Sequence, residues 1–164
     1  MLTKNEILVT DSCILFDLLD LSLIKAFFQI SNKIYTTPQV IEEITNSFQL
    51  FEINKYISKG NLIIDTDGSF ESIQDLFDEL QGLSYTDCSI LELASRKNGI
   101  VVSSDKRLRN ESQKRQLTIG GILWIIEILV ISKIISIEFA VKSLKIYPEI
   151  NQRVPKEDIL NSAS

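Results

Sequence analysis

Histidine is absent from the 164 residues, and cysteine occurs only twice, proline three times and glycine six times. Each shortage closes a class of function or structure. Without histidine there is no Ser-His-Asp or Cys-His nucleophilic catalysis, and the usual zinc sites are excluded. A metal bound by this chain has to take oxygen ligands from Asp and Glu, which suits Mg2+, Mn2+ or Ca2+. Two cysteines, Cys13 and Cys88, make no disulfide scaffold. Both read as free thiols in a reducing compartment, packed as small hydrophobes. The few prolines and glycines leave little room for long linkers. No basic stretch followed by a long apolar run opens the chain, so residues 1–10 are not a signal peptide, and a cytoplasmic protein is expected. The most apolar stretch, 119–132, holds Glu127 and is followed by Lys133. It falls short of the roughly 18–20 apolar residues of a membrane span and reads as a buried helix, so no membrane partner is expected.

What is present is a globular composition, 45% hydrophobic with a net charge of −5. That is enough apolar material for a full core, and residues 1–164 read as one domain whose C-terminal helices, from about residue 118, pack on the rest. The charge is uneven. Residues 106–115 hold five bases, Lys106, Arg107, Arg109, Lys114 and Arg115, against one acid, Glu111. They form either a solvated helix or a patch for phosphate groups.

Short apolar runs alternate with helical patterns. Strands are expected at 6–10, 33–36, 61–65 and 100–103, and helices over 12–28 (broken near Asp20), 39–59 (as one or two), 70–80 and 84–97. The last third reads as apolar helices joined by short connections, punctuated by Pro148 and Pro155. Thr37 and Pro38 are an N-cap and a first helical residue, and Asn98-Gly99 is a helix stop. On the 70–80 helix, Ile73, Leu76, Phe77 and Leu80 share one face. This alternation implies an α/β fold with a mainly parallel sheet covered on both sides.

In such sheets the functional crevice lies outside the carboxyl ends of the strands. Asp11 and Asp105 each follow an apolar strand directly, so both start from one edge. Asp87 falls in the first turn of the 84–97 helix, where the helix dipole favours a carboxylate. Glu43 is expected nearer the buried stripe of Val40, Ile41 and Ile44 than its neighbour Glu42. Four carboxylates packed together repel and their pKa values rise. A divalent ion reverses that cost and can both activate water and stabilise charge on phosphate. Ser12, Ser103 and Ser104, beside the acids, are candidates to orient water or phosphate oxygens.

The segments Val9-Thr-Asp11-Ser12, Val40-Ile-Glu-Glu43-Ile44, Ser84-Tyr-Thr-Asp87 and Gly99-Ile-Val-Val-Ser-Ser-Asp105 resemble the acidic quartet of the PIN-domain family in order and rough spacing. Residues 118–124, Thr118-Ile-Gly-Gly-Ile-Leu-Trp124, resemble the tail of a bacterial subgroup. The resemblance implies a Rossmann-like three-layer α/β/α sandwich and a Mg2+- or Mn2+-dependent endoribonuclease. Asp11, Glu43, Asp87 and Asp105 would be the metal ligands and catalytic groups, Ser12 and Ser104 would support them, and the 106–115 bases would bind RNA. It also implies a toxin of a toxin–antitoxin pair, with an antitoxin protein as partner, and a homodimer. Cys13 stands where the family often has a small polar residue. The alternative is a non-catalytic module of the same fold that binds RNA or protein.

Overall fold

The computed structural model describes residues 2–150. Pro155 and the rest of the sequence beyond residue 150 lie outside the described residues. The strands are short and mostly apolar, with a buried Thr ending each of the first two: β1 Leu8–Thr10, β2 Ile34–Thr36, β3 Leu62–Ile64, β4 Ile100–Val102 and β5 Ile119–Gly120. All pairings are parallel, in the order β3-β2-β1-β4-β5. The chain builds outward from β1 through β2 to β3, then crosses back to add β4 and β5 on the other side. The point of reversal lies between β1 and β4, whose register pairs Leu8 with Ile100 and Thr10 with Val102.

The helices are α1 Ser12–Asp20, α2 Ile24–Phe27, α3 Pro38–Glu42, α4 Ser47–Ser58, α5 Phe70–Glu79, α6 Tyr85–Lys97, α7 Lys106–Lys114, α8 Ile122–Ile131 and α9 Ile137–Ile150. On one face α1 packs with α2, α4 and α8, and α9 covers α8. On the other, α6 packs with α3, α5 and α7. The result is a three-layer α/β/α sandwich, as a parallel sheet requires. Its core joins Leu8 and Val9 of β1, Val101 and Val102 of β4, Ile14, Leu15 and Leu18 of α1, and Ile125 and Leu129 of α8, all fully buried.

Local signals act as expected at several boundaries. Thr37 caps α3 through its side chain, with Pro38 at the first position. Ser22, with φ +58°, separates α1 from α2. Asn98 ends α6 in the left-handed conformation, φ +51°, and the residue types found there carry little penalty.

Four expectations need correction. The final third is not helical throughout, because Ile119 and Gly120 add β5 beside β4. Gly120 packs so close to Trp124 that a Cβ there would lie 2.3 Å from the indole ring. Pro148 lies within α9 instead of ending it. Phe77 is not on the buried face of α5. It is 43% exposed, and only Ile73 of that helix is fully covered. Glu43 is exposed, like Glu42: it is the C-cap of α3, with its N–H still bonded to the Gln39 carbonyl, and this five-residue helix buries only Val40. Cys88 is buried and Cys13 half-buried. No helix among the described residues is long and apolar enough to cross a membrane.

Candidate active site

Four helices follow strands directly and begin at the carboxyl edge of the sheet: α1 after β1, α3 after β2, α7 after β4 and α8 after β5. Helix α6 runs back against the strands toward β4, and its second turn is tied to the end of β2 by the Thr37 and Ser89 hydroxyls, 2.9 Å apart. Helix N-termini carry partial positive charge and unsatisfied N–H groups, so this edge favours negative side chains.

The acids occupy the capping positions of these helices. Asp11 is the N-cap of α1 and accepts the Ile14 N–H at 3.0 Å. Asp105 is the N-cap of α7 and accepts the Leu108 N–H at 3.0 Å. Asp87 is the third residue of α6 and completes a capping box: its N–H donates to Ser84 Oγ at 3.0 Å, and its carboxylate accepts the Ser84 N–H at 3.4 Å. Glu43 comes from α3 and accepts the Ser12 hydroxyl at 3.4 Å. The same residues that start the helices therefore present carboxylates at the reversal point of the sheet.

Ser103 joins two of them. Its hydroxyl donates to Asp11 Oδ2 and accepts the Asp105 N–H at 3.0 Å. It is fully buried, and Asp11 is nearly so. Ser12 faces Glu43 as well as following Asp11 in sequence. Ser104 points elsewhere, donating to Asp17 at 3.2 Å.

Electrostatics ties the remaining acids together. The Asp87 carboxyl is pushed up from its ordinary value, first by burial. The negative charges of Asp105 and Glu43 raise it further, against lowering hydrogen bonds from Ser84. No ion pair to Glu43, Asp87 or Asp105 occurs among the described residues. A second acidic pair near the same edge is built differently. Asp65, after β3, and Glu92 share the Arg96 guanidinium, with Nε to Glu92 at 2.8 Å and Nη2 to Asp65. Hydrogen bonds to Glu92 and then Asp65 raise the arginine pKa. That pair carries its own cation and is structural.

The basic run of 106–115 is a helix, and it does not present one patch. Leu108 and Ser112 turn inward, which sends the bases to opposite flanks. Arg107 donates to the Gly82 carbonyl at 3.1 Å, Lys114 pairs with Glu111 at 3.2 Å and Arg115 stands 3.8 Å from Glu79. Arg109 turns toward the start of α8. Its guanidinium borders Gly121, the N-cap of α8, and the Ser103 carbonyl borders the same glycine. Its Nε is buried and has no hydrogen-bond partner among the described residues. Lys106 is exposed at the start of the helix.

A family model described as a PIN domain matches residues 7–157. The chain belongs to the PIN-domain family. Membership gives it a nuclease-type fold, in keeping with acids at the carboxyl edge of a parallel sheet. No curated protein matches the chain.

PIN domains typically use divalent metals, and the donors here suit one in kind. All are carboxylate oxygens, the preference of hard cations. Asp105 Oδ2, Asp87 Oδ1 and Glu43 Oε1 accept no hydrogen bond from the described residues, since the bonds to these groups engage the other oxygen. The spacing is open: among the described residues no three acidic or thiol groups form a cluster that would hold an ion as they stand. Ion binding would require the side chains to draw together.

Two residues of this region were not among the sequence candidates. Asp65 gave no signal beyond its place after an apolar run. Asp17 did give one, a carboxylate among Ile14, Leu15 and Leu18 on an otherwise apolar helix face.

Proposed function

We propose that this PIN domain is a metal-dependent ribonuclease that hydrolyses RNA phosphodiester bonds. The observation that supports the reading most is the link between Asp11 and Asp105 through Ser103 at the reversal point of the sheet. It ties the Asp11 carboxylate to the backbone of Asp105 across the ends of two strands, and the charges of Asp105 and Glu43 both act on Asp87.

In this reading Asp11, Glu43, Asp87 and Asp105 hold Mg2+ or Mn2+. When bound, the ion supplies positive charge for the phosphate and lowers the pKa of water. The protein's own part is positional. Ser103 keeps Asp11 turned toward Asp105, and Ser12 steadies Glu43. Ser104 supports the site from behind, through Asp17. The N-termini of α1, α6, α7 and α8 offset part of the repulsion among anions. Arg109, beside Ser103, is placed to meet a phosphate with a planar guanidinium fork, while Lys106, Arg107, Lys114 and Arg115 attract the RNA backbone at longer range.

A toxin role, an antitoxin partner and a homodimer come from the family resemblance alone, and a cytoplasmic location from the free thiols. The open spacing of the acids is the one observation on the side of a non-catalytic binding module. The deciding experiment is cleavage of single-stranded RNA with Mn2+, with Mg2+ and with EDTA, using wild type, Asp11→Asn and Asp105→Asn. Cutting that needs metal and falls by orders of magnitude in both variants is expected. Full activity in Asp105→Asn would remove the site assignment. Folded wild type that binds RNA without cutting it would favour the binding module.

A further inference from the structure

The loop between β4 and α7, residues 103–105, is pinned from two sides. In an extended segment neighbouring side chains point to opposite faces. Ser103 accordingly reaches Asp11, and Ser104, the next residue, reaches Asp17 Oδ2 at 3.2 Å. Both anchors belong to the same helix: Asp11 caps α1 and Asp17 lies within it. The Asp17 oxygen that accepts Ser104 also accepts the Tyr147 hydroxyl, at 2.9 Å. Tyr147 is fully buried, and Asp17 and Ser104 are buried too. These partners are 87 and 130 residues from Asp17 in sequence.

We infer that Asp17 is a positioning residue for the acidic site, and that Tyr147 of the C-terminal helix sets it. A buried carboxylate keeps its orientation through its hydrogen bonds. Asp17 holds Ser104, and Ser104 fixes the two residues that flank it, Ser103 and Asp105. One of these orients Asp11 and the other is itself a member of the quartet. Helix α9 is in this way coupled to the site through Asp17. Groups behind metal-binding side chains orient them, and their loss typically lowers metal affinity about 10–100-fold. The inference rests on the ribonuclease reading for its functional meaning, but not for its geometry.

The test compares the full chain with Tyr147→Phe, Ser104→Ala and Ser143→Ala. The last is a control on α9: it removes a buried hydroxyl bonded to the Phe139 carbonyl and leaves Asp17 alone. Amide hydrogen exchange is measured at Asp105, whose N–H is held by Ser103, and at Leu108, held by Asp105. Mn2+ affinity is measured by calorimetry. Tyr147→Phe and Ser104→Ala should exchange about tenfold faster at Asp105, with exchange in β1 unchanged, and bind Mn2+ about 10–100-fold more weakly. Ser143→Ala should match wild type in both. Exchange at Asp105 equal in all four proteins overturns the inference. Wild type that takes up no Mn2+ sinks the ribonuclease reading, and the exchange arm then still decides whether Asp17 positions the loop. If Tyr147→Phe does not fold, Ser104→Ala carries the comparison alone.

Discussion

At the scale of single residues, the quartet is a set of charges held at some cost to the fold. Asp87 shows this directly. Burial raises its carboxyl pKa, and Asp105 and Glu43 add to the effect. A carboxylate whose folded pKa lies above the unfolded value contributes most to stability below the unfolded pKa, near 3.8, and this contribution is lost as pH rises through the folded value. Asp87→Asn keeps an oxygen for the Ser84 N–H and removes the charge. It should raise the melting temperature of metal-free protein at pH 7, by an amount equivalent to about 1 kcal/mol. Well below pH 3.8, where Asp87 is protonated in both states, the gain should vanish. Scanning calorimetry at the two pH values checks this, and an equal gain at both would mean that charge is not the cause. The Cys88 thiol shows the same physics in a group with no part in the site. Burial, then the adjacent Asp87 charge, push it up to about 11, so it stays a protonated hydrophobe at neutral pH.

Among secondary-structure elements, the most informative feature is the double use of helix caps. Asp11 and Asp105 begin α1 and α7 and also face the site. The two uses separate by substitution, because Asn caps a helix about as well as Asp while Ala does not. Asp105→Ala should be less stable than Asp105→Asn by about 1 kcal/mol in urea unfolding, yet both should lose RNA cutting. Equal stability would mean that the Leu108 contact contributes nothing to α7. The readable signals at this scale were the ones that act within a few residues. The cap at Thr37 and the stop at Asn98 depend on neighbouring backbone, so sequence exposes them. Glu43 departs from the expectation because α3 is short and buries only Val40, so lying near the apolar stripe does not cover it. Strand β5 was missed because two residues, one of them glycine, carry no alternation; neighbouring β4 and the Trp124 ring hold it in place. The bases of 106–115 were legible as a cluster. Their division between two flanks follows from the inward turn of Leu108 and Ser112, which a tally of charge does not contain.

For the molecule as a whole, strand order brings the acids together. Asp11, Glu43, Asp87 and Asp105 lie on four different stretches of chain, and only the return from β3 across to β4 puts the β1 and β4 ends side by side. An ion shared by them should bind the folded state and not the unfolded one. At about 100 times its Kd, Mn2+ should therefore add ~2.7 kcal/mol of stability. The shift should be much smaller in Asp11→Asn and Asp105→Asn. Equal shifts in all three proteins, read from thermal unfolding with and without Mn2+, would place the ion elsewhere.

The sequence by itself determined the alternation of apolar strands and helices, and with it the parallel sheet. It also determined an all-oxygen donor set and the placement of Asp11 and Asp105 immediately after strands. These follow from side-chain period, residue chemistry and local capping, which act over a few residues. The tertiary structure alone decided that Ser103 bridges two acids while Ser104 turns away to Asp17. It likewise decided that Arg109 borders Gly121 at the start of α8, and that Tyr147 reaches Asp17 across 130 residues of sequence. Those pairings depend on which elements pack together across the sheet, and hydrophobic burial sets that globally, through contacts between residues that sequence distance keeps apart.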